Sequence, residues 1–75
     1  MHGTVSSVQP FGVFVKLDEL STVIALLEIP FFAIMETEPN KRLQFPDDYP
    51  QVGTRITARA LTWSGPQLRL TQLES

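Results

Sequence analysis

Apolar and polar positions alternate twice within the first seventeen residues. Val5 and Val8 mark one run, and Val13, Val15 and Leu17 mark the next. A period of two in a Val-rich stretch predicts β-strands with one face buried. Gln9-Pro10 divides the runs and predicts the turn, because proline fixes φ and has no amide to give a ladder. Gly12 stands between Phe11 and Val13-Phe14, inside the second run. A glycine within a strand marks a bulge, a sharp coil or the close approach of another backbone. Alternation lapses at such a bend, which would let Phe11 and Phe14 both reach the surface.

Residues 22–29, TVIALLEI, form a short apolar run bounded by polar residues. That pattern predicts a buried strand, although Ala, Leu and Glu also suit a helix. Residues 30–51 are irregular and hold four of the six prolines. So long a connection in a small domain is usually functional or partly mobile, with room for one helical turn near residues 31–35. In residues 55–63, Ile56, Ala58 and Ala60 alternate with Arg55, Thr57 and Arg59, which predicts a fourth strand. Ser64-Gly65-Pro66 reads as a turn. Leu68 and Leu70 then alternate with Gln67 and Arg69 in a fifth strand. Five strands with turn punctuation and no long helix predict a small antiparallel barrel.

Composition narrows the function. With 75 residues the chain reads as a single domain, residues 1–75, with a modest core. No cysteine is present, so neither disulfides nor thiolate metal sites are expected, which fits a reducing cytoplasmic setting. No leader pattern stands out, and the longest apolar run is too short for a bilayer. Six Lys and Arg against eight Asp and Glu leave a net charge of −2. Affinity for phosphates usually rests on a cationic excess, so any nucleic-acid binding here must lean on stacking and a few local cations. His2 is the one histidine, and a single ligand cannot hold zinc. The acidic pairs Glu36/Glu38 and Asp47-Asp48 lack a nucleophile–base partner or a phosphate loop. No enzyme activity, cofactor or metal is therefore expected.

The opening G-x-V-x-x-V-x-x-F-G-V-F-V-x-L resembles the start of an S1 domain, an RNA-binding module with the OB-fold. Residues 22–29 resemble that family's third strand, Val52-Gly53 with residues 55–60 its fourth, and Leu68-Arg69-Leu70-Thr71 its closing strand. The resemblance covers nearly the whole chain in order, and the chain looks like the short stand-alone bacterial S1-like proteins. It implies a five-stranded antiparallel OB-fold barrel with a long connection between strands 3 and 4. It also implies RNA contact through Phe11 and Phe14. The family's histidine falls on Ala25, its small polar position on Leu27, its acidic turn position near Ser64, and its basic closing-strand position on Gln67. Most polar partners of the aromatic pair are thus replaced.

Two functions follow as expectations. The first is weak, sequence-tolerant, salt-sensitive binding of single-stranded RNA. Phe11 and Phe14 would stack bases, Lys16, Arg59 and Arg69 would meet phosphates, and Trp63 would extend the platform or cover the barrel end. The second is a protein-interaction or regulatory module with a degenerate RNA face. It would use Phe31, Phe32, Ile34 and Met35, as a homodimer or on another protein. Folded under, the same four residues would be a lid closing the barrel, the reading favoured in a domain this short of core.

Overall fold

A computed structural model describes residues 1–74. The chain forms a mostly-β domain whose six-stranded sheet curls into a half-barrel. Its strands are β1 (His2–Gln9), β2 (Gly12–Leu17), β3 (Ile24–Glu28), β4 (Arg55–Thr57), β5 (Arg59–Ser64) and β6 (Gln67–Thr71). They lie in the order β4-β1-β2-β3-β6-β5. A 3-10 turn at Ile29–Phe31 and a short helix α1 (Ile34–Thr37) follow β3.

The expected five antiparallel strands are corrected in two respects. First, the run at residues 55–63 is two strands. β4 pairs with β1, and β5 pairs with β6. Ala58, between them, exchanges backbone hydrogen bonds with Met1 at 2.9 and 2.8 Å. Side-chain alternation cannot reveal this change of partner, because the apolar period runs through it. Second, β3 and β6 are parallel, so the sheet is mixed. The chain between them includes β4 and β5, and so long an intervening path lets β6 return in the direction of β3.

The core sits on the concave face. It contains Val5, Val13, Val15 and Leu17, then Ala25, Leu27, Leu68 and Leu70. Each fully buried Val or Leu side chain contributes about 1.5–3 kcal/mol. Phe32 and Tyr49 close one end, packed edge to face at 5.5 Å. The irregular connection is thus anchored at both of its ends. Tyr49 Oη donates to the Pro10 carbonyl at 2.6 Å, and the Gln72 amide donates to the Phe31 carbonyl at 2.8 Å.

The first hairpin turns one residue later than expected, at Pro10-Phe11, so Phe11 lies on the turn and not in a strand. The bulge falls on β1, between Val5 and Ser7. Gly12 is needed for a different reason: β3 crosses very close to it. A Cβ there would lie 2.3 Å from the Leu27 carbonyl oxygen and 2.8 Å from Glu28 Cα. Both atoms are backbone, so neither can swing away.

The far end of the hairpin is tied by charge. Arg55 grips Asp18 with two hydrogen bonds, 2.9 and 2.6 Å, and also reaches Thr4 Oγ1 at 3.0 Å. These bonds hold the Asp18 carboxyl below its ordinary value of 3.8. Among the described residues, no helix is long and apolar enough to cross a membrane.

Two outcomes follow. Gly12→Ala should destabilise the fold by about 1–3 kcal/mol or more, as overpacking against fixed backbone does, measured by denaturant unfolding. The depressed Asp18 carboxyl contributes stability that is fully present above 3.8 and is lost as pH falls through its lower folded value. Asp18→Asn should therefore flatten the acid limb of a plot of melting temperature against pH.

Candidate nucleic-acid interface

The convex face of the sheet is set by the same alternation that fills the core. On β2, Val13, Val15 and Leu17 point inward, which turns Phe14 and Lys16 outward. Ladder partners share a face. Phe14 is opposite Ser7 on β1 and Leu26 on β3, Leu26 is opposite Arg69 on β6, and Arg69 is opposite Thr62 on β5. One row therefore crosses the outer surface: Ser7, Phe14, Leu26, Arg69, Thr62.

Phe11 joins this row from the turn. Its ring meets that of Phe14 edge to face, with centroids 6.0 Å apart. Phe11 is 49% exposed, and Phe14 is half-buried. An edge-to-face pair holds both rings in place while leaving faces open to a stacking partner. Beside Phe14 lies an open groove of about 470 Å³, walled by Phe14, Lys16, Val23, Ile24, Ser6 and Ser7. Its surface is mainly apolar, with the serine hydroxyls at one side. The Ser7 hydroxyl accepts from Gln9 Nε2 at 2.8 Å, which leaves its own proton free to donate.

The cations are distributed differently from the expectation. Lys16 is exposed at the groove and makes no ion pair among the described residues. Arg69 shares the outer face but is paired with Glu28 at 3.4 Å. Arg59 stands opposite Thr71, on the face Arg69 shares, and donates to the Leu73 carbonyl. It lines a separate hollow with Thr57, Thr71 and Gln72. Trp63 is 54% exposed but stands opposite Leu68, whose side chain is in the core, so it lies on the other side of the hairpin from Phe14. Phe11, Phe14, Lys16 and Arg69 thus come together, while Arg59 and Trp63 stand apart.

Residues 31–35 serve as a cover for the core. Phe32 is buried, and Phe31, Ile34 and Met35 are half-buried against the core cluster. They do not form an exposed apolar patch.

The resemblance placed a histidine position on Ala25 and a small polar one on Leu27, but both side chains face inward and are fully buried. The outward positions of β3 are Ile24, Leu26 and Glu28. Glu28 was the available signal: a charged residue seldom points into a core, and its parity fixes that of Leu26 and Ile24. Leu26 is only 5% exposed although it faces out, flanked in register by Phe14 and Arg69.

The turn that carries Phe11 is fixed from two sides. Tyr49 Oη holds the Pro10 carbonyl, and the Ile29 amide donates to the Phe11 carbonyl at 3.1 Å. Tyr49→Phe should cost about 1 kcal/mol. It should also speed hydrogen exchange at the Ile29 amide more than at the Val15 amide, measured by NMR.

No protein-family model matches this chain, and no curated protein matches it either.

Proposed function

We propose that the chain is a non-catalytic nucleic-acid-binding domain that takes single-stranded RNA by aromatic stacking. In this reading the curled sheet is an OB-type barrel of the S1 kind, with β4 and β5 as the two halves of one bent strand. One observation carries the proposal: the Phe11–Phe14 edge-to-face pair on the outer sheet, of which Phe14 borders an open groove lined also by Lys16, a cation without an ion pair among the described residues.

The chemistry suits a flexible single strand. Stacked bases need open ring faces and apolar walls, and every base has a π-face, so such a site is tolerant of sequence. A rigid duplex would present phosphates first, and this face has little free charge with which to meet them. The Ser6 and Ser7 hydroxyls and the Lys16 ammonium give a splayed-out nucleotide polar partners. With Arg69 paired and Arg59 held by the Leu73 carbonyl at a separate hollow, the dependence on salt is that of about one phosphate contact, a slope near −0.7 for a single strand.

The competing reading, a partner surface at Phe31, Phe32, Ile34 and Met35, is disfavoured because those side chains cover the core. Among the described residues, no pairing of nucleophile and base supports a catalytic reading.

The test is a titration with a short single-stranded RNA oligomer followed by amide chemical shifts. Shifts should centre on residues 11–16 and 24–26, with Trp63 little affected. Phe14→Ala should weaken binding by about 1–3 kcal/mol while leaving the circular dichroism spectrum unchanged. Absence of any shift in this region at millimolar RNA would overturn the proposal.

A further inference from the structure

The Glu28–Arg69 ion pair is a feature of the outer face that works against a nucleic acid. Arg69 is the cation on the row that carries Phe14, two strands away across Leu26. Its guanidinium Nη1 is 3.4 Å from Glu28 Oε1, and both side chains are partly exposed. Its Nε is buried and has no hydrogen-bond partner. Glu28 reaches it from the outward position opposite Gly12, next to the turn that bears Phe11. The pair therefore lies along the border of the aromatic site.

We infer that Glu28 is an affinity-determining residue of this site: it holds Arg69 in an internal pair and withholds the guanidinium from phosphate. The inference rests on the nucleic-acid reading given above. A carboxylate and a phosphate oxygen compete for the same fork of donors. The existing pair is held by a single long contact. It satisfies neither the bidentate geometry that arginine favours nor the buried Nε. A phosphodiester of a strand stacked on Phe11 and Phe14 offers a second acceptor within the same patch. While Glu28 remains ionised, this exchange gains little, because the displaced carboxylate stays beside the incoming anion. The site is thereby tuned to bases over backbone, which is the selectivity a net-acidic domain requires if it is to avoid polyanions at large.

The test uses the full chain, a short single-stranded RNA oligomer and a salt series. Glu28→Gln should tighten binding roughly five- to tenfold at low salt and steepen the salt slope by about 0.7, the signature of one added phosphate contact. Arg69→Gln in the native background should change both quantities little. The double variant should return to native behaviour. If Glu28→Gln changes neither affinity nor slope while the native chain binds, the inference is overturned and the binding reading stands. If the double variant keeps the gain, mere removal of negative charge is responsible, and the inference is again overturned. If no variant binds and the native chain does not bind, the binding reading itself fails. Amide spectra of each variant establish that the fold is retained.

Discussion

The close crossing of β3 over Gly12 is the constraint from which the rest of the structure follows. At that point the Leu27 carbonyl and the Glu28 backbone occupy the space where any side chain would begin. The ladder between β2 and β3 starts there, with Gly12 opposite Glu28. Once that register is set, Val13 must meet Leu27 and Val15 must meet Ala25, and these pairs form the middle of the core. The same register turns Phe14 and Lys16 to the other side. One close contact between backbones therefore orders both the inside of the domain and its candidate binding face.

The two faces are stabilised by different means. The inner face is apolar and continuous, closed at one end by Phe32 and Tyr49 from the long connection. The outer face is a thin layer, with one aliphatic side chain, Leu26, buried among an aromatic, an arginine and their neighbours. The hydroxyl of Tyr49 links the two, since it leaves the core aromatic cluster to hold the turn that presents Phe11. Burial at the cap is in this way converted into order at the exposed ring. The connection that looked like a loose insertion is a structural brace for the site.

Electrostatics shapes this site by restraint. Of the cations on the sheet, Arg55 is held by Asp18, Arg69 by Glu28, and Arg59 by a backbone carbonyl. Only Lys16 faces the groove without an ionic partner among the described residues. On the proposed reading, such a face would favour ligands that bring π-surface over ligands that bring charge, in keeping with the acidic balance of the chain.

The alternation of Val, Leu and Phe was enough to place most strands and to separate core residues from surface residues on β2 and β6. It was enough because a period of two is a property of the strand itself, whatever it pairs with. The aromatic pair was legible for the same reason, since Gly12 between two rings marks a special backbone position. Three matters were settled by the tertiary structure. Ala58 ends one pairing and begins another, and no local pattern encodes which neighbour a strand will have. The run of apolar residues in β3 left Glu28 alone to mark its parity, and the register with β2 sent Ala25 and Leu27 to the core and Leu26 to a covered position on the outer face. Whether a cation is free or paired depended on carboxylates distant in sequence, Asp18 for Arg55 and Glu28 for Arg69. The sequence determined the strands and the rings because those depend on near neighbours. The partners of each strand and each charge are long-range facts, and only the folded chain could supply them.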